Sequence, residues 1–153
     1  PDVLSECLYE LRWLLKMQTD TEVITYLFDH LIRHHQLPID VAADVLTAPE
    51  WDEIDRMDPE RKEYFTNLRS IYNGALVNGP FSVILGSNKG LLAINDRLKL
   101  RSLTAATKGN RAYFASEESA IRVICPHPEK VWSVSGAEPV FIPLELAKEE
   151  DDD

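Results

Sequence analysis

The chain has 153 residues and a mass of 17.4 kDa, which fits one domain that is large enough to bury a sizeable core. Its formal net charge is −10 and its pI is about 4.8, without the clustered lysine and arginine that nucleic-acid phosphates require. No apolar run approaches the roughly 20 residues of a membrane span, and the first 18 residues show no secretory-signal pattern. We therefore expect a soluble, cytoplasmic protein with no nucleic-acid or membrane partner.

The first half of the chain is predicted to be largely helical. Apolar residues recur at intervals of three and four over 1–16 and 19–32, which gives each segment one apolar face. Shorter helical segments are predicted over 39–46 and 51–57, each beginning after a proline that breaks the chain.

A longer helix is predicted to begin at Asp58-Pro59-Glu60, because aspartate caps a helix and proline suits its first position. The residues that we expect on its apolar face are Tyr64, Phe65, Leu68, Ile71 and Tyr72. Asn73-Gly74 is typical of the end of a helix, and Asn78-Gly79 of a turn that leads into a strand.

Three short apolar runs, 81–85, 91–94 and 112–115, indicate antiparallel strands because turn residues bound each run. The turns between them are predicted at 87–90 and 108–110, where Asn and Gly tolerate positive φ. Together with a closing hairpin within 126–142, in which Trp132 is expected to be a packing anchor, we count about six strands. After the run 112–115, Ser116 is predicted to cap a short helix.

The acidic last residues and the two cysteines have simple interpretations. Residues 145–153 are so acidic that we expect a solvated, disordered tail. Cys7 and Cys125 lie far apart in the sequence, and we expect both to be reduced thiols that pack as small apolar side chains.

Neither of two histidine-containing segments satisfies the requirements of a metal site. His30 and His34 have the i, i+4 spacing of metal ligands on a helix, but the sequence offers no convincing third ligand. A solvated polar face at the negative end of the helix is the favoured interpretation. Cys125-Pro126-His127 likewise lacks further ligands at metal spacing, so we expect no metal.

Several segments together resemble a known family. They are TDTEV at 19–23, NGPFSVILG at 78–86, LLAINDRLKLRSL at 91–103, AYFASEESAI at 112–121 and PHPEKVWSVSGAEPVFI at 126–142. In this order and spacing they resemble the later part of a class II glutamine amidotransferase domain of the glutamate-synthase type. The small stand-alone amidotransferase subunits are the most similar members.

The resemblance implies an α+β fold. It would be the later part of the four-layer αββα fold of N-terminal-nucleophile hydrolases, with helices first and antiparallel strands after them. Residues 1–144 would then form a partial domain, helical over 1–75 and built of strands over 79–143.

The resemblance also implies roles for particular residues. Asp20, the first aspartate of the TDTE motif, would bind the α-amino group of glutamine. Asp96, Arg97 and Arg101 would form an ion-paired, structural loop near the site, with Ser102 in the position where the family has proline. The family's oxyanion-hole Asn-Gly pair precedes TDTE, so the two later Asn-Gly pairs of this chain are interpreted as turns.

The family hydrolyses glutamine with an N-terminal cysteine nucleophile whose α-amino group is the base. This chain begins with Pro1, and the context of Cys7 does not match the family. We therefore expect the nucleophile, the oxyanion hole and the arginine for the glutamine carboxylate upstream of Pro1. The chain alone would be inactive.

Two functions remain open. In the first, the chain belongs to an amidotransferase that releases ammonia from glutamine for glutamate-synthase-like partner subunits. Those partners, and not this chain, would carry the flavin and the iron–sulfur cluster. In the second, the chain is a non-catalytic binding or assembly module that retains part of the same fold. Self-association into a homo-oligomer also stays open.

Overall fold

The computed structural model describes residues 19–144. The helix expected over 1–16, Cys7 and the acidic tail at 145–153 lie outside these residues. The helices are α1 (Asp20–Asp29), α2 (Ile39–Thr47), α3 (Trp51–Ile54), α4 (Pro59–Tyr72) and α5 (Glu118–Ile124). The strands are β1 (Ser82–Ser87), β2 (Gly90–Asn95), β3 (Thr104–Lys108), β4 (Arg111–Ala115), β5 (Lys130–Ser133) and β6 (Val140–Pro143).

Helix α1 begins and ends with distinct local geometry. Thr19 is its N-cap and accepts a hydrogen bond from the backbone N–H of Glu22 at 3.3 Å. The buried face predicted for this helix is confirmed, with Ile24, Leu27 and Phe28 almost fully buried. After Asp29 the chain widens into a π-helical turn, His30–His34, which sequence periodicity did not indicate.

Helix α4 confirms one prediction and corrects another. Asp58 caps it by accepting from the N–H of Arg61 at 3.1 Å, and Pro59 occupies its first position, as predicted. Ile71 and Tyr64, however, were wrongly expected to be buried, since 73% and 37% of their surfaces are exposed. Arg69 is buried instead, where it donates to the carbonyl of Pro49 at 2.6 Å and lies over the Trp51 ring.

The described strands form two antiparallel sheets of three, in the orders β1-β2-β6 and β4-β3-β5. Two of the three predicted hairpins are present, because Ser87 pairs with Gly90 and Lys108 with Arg111 across two-residue turns. The closing hairpin predicted within 126–142 is wrong, because β5 pairs with β3 and β6 with β2, in different sheets. Gly90 cannot be replaced without strain: its φ is +153°, and a Cβ there would lie 2.2 Å from the carbonyl oxygen of Ile142.

Alternation of side chains along the strands places each sheet between two apolar layers. On β2, Leu92 and Ile94 pack against the helices α1 to α4, while Ala93 faces the second sheet. On β3, Ala105 faces the first sheet and Ala106 packs under α5. The order of layers is therefore helices, sheet, sheet, helix, and the protein is α+β.

Helix α5 begins one residue later than it would if Ser116 were its N-cap. Its N-cap is Glu117, which makes no capping side-chain hydrogen bond, and its first residue is Glu118. The prediction that Ser116 caps this helix is wrong. Ser116 lies instead at the end of β4, beside a cleft.

Candidate binding cleft

A cleft of about 450 Å³ opens where the N-terminus of α1 meets the start of β1. The loop 96–103 and the residue that follows β4 complete its wall. Its lining residues are Asp20, Thr21, Ile24, Pro80, Phe81, Ser82, Val83, Arg101, Ser102 and Ser116. All of these residues except Ile24 come from four of the five segments that carry the family resemblance.

The carboxylate of Asp20 is available to a ligand. Asp20 is the first residue of α1, and the neighbouring Thr19 fills the capping role. Within residues 19–144 the Asp20 side chain makes no hydrogen bond or ion pair. The positive end of the helix dipole favours an anionic side chain at this position.

Arg101 lines the same cleft from the loop 96–103. In the described part of the chain its guanidinium has no hydrogen bond and no ion pair, with Asp20 or with any other carboxylate. A carboxylate and a guanidinium therefore share one cleft without neutralising each other. Both are solvent-accessible, as a binding site for a dissolved ligand requires.

Asp96 fixes the loop that carries Arg101. Its carboxylate is 2% exposed and accepts hydrogen bonds from the backbone N–H groups of Leu98, Leu100 and Arg101 at 3.0 to 3.3 Å. A buried carboxylate with three N–H donors holds a loop more firmly than neutral hydrogen bonds do. The role of Asp96 in this structure is therefore to shape the backbone.

Asn95 connects two walls of the cleft, and sequence reasoning missed it. Its side chain is 1% exposed; Oδ1 accepts from the hydroxyl of Ser82, and Nδ2 donates to the carbonyl of Arg101 at 2.9 Å. The available signal was a polar residue at the end of the apolar run 91–94. The amide fixes the start of β1 relative to the Arg101 loop.

Arg97 joins the loop to the helical layer and does not line the cleft. Its guanidinium donates to a carboxylate oxygen of Glu50 at 2.7 Å and also to the side chain of Asn78. The Arg97 side chain is 7% exposed, whereas that of Glu50 is 49% exposed. Arg97 and Arg101 therefore have different environments, although the sequence pattern grouped them.

Other residues singled out by sequence lie away from the cleft. Asn73 belongs to a 3₁₀ turn after α4, and the side chain of Asn78 accepts a hydrogen bond from Arg97. Neither residue lines the cleft. Cys125 is buried beneath α5, on the far face of the second sheet. Trp132 packs between the two sheets.

Between residues 19 and 144 no group of three or more His, Cys, Asp or Glu side chains could hold a metal ion. No helix in the same range has the length and apolar character needed to cross a membrane.

The chain is similar to an uncharacterized protein of Archaeoglobus fulgidus. The two are 39% identical over 132 residues, which make up 86% of this chain and 35% of the relative. The chain therefore spans about a third of the relative's length. No protein-family model matches the sequence, and no solved structure matches it.

Proposed function

We propose that this chain is the later part of a class II glutamine amidotransferase domain of the glutamate-synthase type. In this proposal the complete domain releases ammonia from glutamine and passes it to synthase partner subunits. The observation that carries the proposal is that Asp20 and Arg101 line one cleft and that neither side chain has a hydrogen-bond or ion-pair partner among the described residues.

The charges of the cleft suit a free amino acid. An α-ammonium group needs a fixed anionic acceptor, which Asp20 provides, and the positive charge of Arg101 favours a ligand that also carries a carboxylate. The volume of about 450 Å³ lies within the roughly 300–1,000 Å³ of small-molecule sites. Hydroxyls of Ser82 and Ser116 add polar groups for the side-chain amide.

The layer order supports the finer assignment to the N-terminal-nucleophile hydrolase fold. That fold stacks two antiparallel sheets between helical layers, and the apolar clusters of this chain follow the same order. Strand β1 and strand β4 are edge strands in the described sheets, and Ile84 on β1 is 46% exposed. Further strands of a complete domain would cover such an edge.

The nucleophile of the proposed reaction lies outside the cleft lining described above. That lining contains no cysteine, and Cys125 is buried on the far side of the second sheet. In the proposed mechanism a terminal cysteine from a further segment attacks the carboxamide carbon. Ammonia leaves, an acyl-enzyme thioester forms, and water then releases glutamate. Asp20 orients the substrate and makes no covalent bond. Flavin and iron–sulfur chemistry would belong to the synthase partner.

The test uses the protein as its gene encodes it, together with an assay for ammonia released from L-glutamine. We expect Asp20→Asn to lower kcat/KM at least 100-fold, mainly through KM, because the variant keeps the shape of the side chain but loses the charge. Asp29→Asn is the matched control, since Asp29 is on the same helix and pairs only with exposed Arg33 within the described residues.

Three outcomes are informative. Ammonia release that depends on Asp20 supports the amidotransferase. Glutamine binding that depends on Asp20, measured by calorimetry without ammonia release, instead favours the non-catalytic binding module. If Asp20→Asn and Asp29→Asn behave alike in both assays, the assignment of Asp20 is wrong.

A further inference from the structure

The π-helical turn at the end of α1 brings together two histidines that a regular helix would separate. In an α-helix with 3.6 residues per turn, residues five apart point in different directions. Here the N–H of His35 donates to the carbonyl of His30 at 3.2 Å, and the wider turn places the two rings 4.9 Å apart between centroids. Such π turns are rare and frequently occur at functional sites.

The atoms that face each other are the ones that bind metals. The Nε2 atoms of His30 and His35 are 3.3 Å apart. Two imidazole nitrogens that each lie about 2.0–2.1 Å from one tetrahedral Zn²⁺ are separated by about 3.3–3.4 Å. The observed spacing is therefore that of two ligands on one ion.

The second nitrogen of His35 also lies within hydrogen-bond distance of a side chain. The hydroxyl of Tyr72, at the end of α4, lies 3.3 Å from His35 Nδ1. Contacts of this kind fix the ring orientation of ligating histidines.

We propose that His30 and His35 form a two-histidine site for a borderline divalent transition metal such as Zn²⁺. Imidazole suits this class of ion, and the exposed position leaves the remaining coordination positions to water or an exchangeable ligand. The site is distinct from the cleft and does not depend on the proposed function. Bound metal would link the two ends of the π turn.

The proposal specifies ligands five residues apart, His30 and His35. His34, at i+4 from His30, has its ring centroid 5.0 Å from that of His30 and is the alternative partner in an ordinary helix. A direct hydrogen bond between two neutral imidazoles would also place the nitrogens 3.3 Å apart. The experiment must therefore separate metal binding from both arrangements.

Isothermal titration calorimetry with ZnCl₂ on the untagged protein at pH 7.5 is the primary test. We expect one equivalent to bind, and His30→Ala and His35→Ala each to raise the Kd at least tenfold. His127→Ala, which removes the fourth histidine of the chain, is the control and should leave the Kd unchanged. Tyr72→Phe should weaken binding by about tenfold.

A spectroscopic measurement checks the ligand pair independently. With one equivalent of Cu²⁺, electron paramagnetic resonance should show coupling to two imidazole nitrogens in the wild type and to one in His35→Ala. The proposal is overturned if the wild type binds neither Zn²⁺ nor Cu²⁺ more tightly than the His30→Ala/His35→Ala double variant does. It is also overturned if His34→Ala abolishes binding while His35→Ala does not.

Discussion

Replacing Asp96 tests how the cleft loop is held. The perturbation is Asp96→Ala, which removes a carboxylate that is 2% exposed and accepts from three backbone N–H groups. Asp96→Asn is a milder companion. It keeps the oxygen that serves Leu98 and Leu100 and loses the acceptor for the N–H of Arg101.

The expected magnitude follows from those contacts. A hydrogen bond to a charged group contributes about 1.5–3 kcal/mol, so three such bonds give an upper limit of roughly 5–9 kcal/mol. The loop lies at the surface, with Leu98, Leu100 and Arg101 exposed, so we expect water to replace part of the lost hydrogen bonding. We therefore expect Asp96→Ala to lower the free energy of unfolding by about 3 kcal/mol and Asp96→Asn by about 1–2 kcal/mol.

The assay is urea unfolding followed by tryptophan fluorescence and circular dichroism, with the unfolding free energies compared at equal m-values. Asp52→Ala is the control, because Asp52 is exposed on α3. A loss below 0.5 kcal/mol for Asp96→Ala, equal to that of the control, would refute the reasoning that this carboxylate holds the loop.

Two further predictions concern backbone geometry and pH. Gly90→Ala should destabilise the protein by about 2–4 kcal/mol in the same urea assay, because its Cβ would collide with the carbonyl of Ile142. Gly109→Ala has a positive φ but open space, so a loss of about 1 kcal/mol is expected there, and equal losses would contradict the steric argument. Burial, together with the hydrogen bond to Asp44 at 2.8 Å, raises the pKa of Tyr64. Its contribution to stability is therefore present below the unfolded-state pKa of about 10 and lost as pH rises through the folded-state pKa. Thermal unfolding between pH 8 and 11 should show that Tyr64→Phe loses less stability than the wild type as the pH rises. Unfolding temperatures that fall in parallel with pH for the two proteins would exclude this linkage.

The chain's local structure was largely predictable, since it depends on neighbours in sequence. The apolar period of 19–32, the Asp58-Pro59 helix start and the two-residue turns all act within a few residues. The errors arose where tertiary contacts decide. Ile71 has the right spacing for a buried position, but α4 instead turns Arg69 inward against Pro49 and Trp51.

The candidate cleft was predictable only in part. Asp20 was selected through the TDTE motif, but the sequence could not show that Thr19 would take the cap and that the carboxylate would have no partner within residues 19–144. Nor could it separate Arg97, which pairs with Glu50, from Arg101, which lines the cleft. Asn95 was missed because its two partners lie 13 and 6 residues away and meet only in the folded chain.

The sequence by itself determined most helices and strands of residues 19–144, the turns at 87–90 and 108–110 and the α+β class, because periodicity and turn chemistry are local properties. It did not determine which strands pair, since the two strands expected to form a closing hairpin lie in different sheets. Only the tertiary structure decided which charges share a cleft and which are neutralised, since that depends on contacts between distant segments. It also decided the π turn that aligns His30 with His35, which no periodicity of the sequence indicated. A motif selects residue types, and packing determines which of them stay free to bind a ligand.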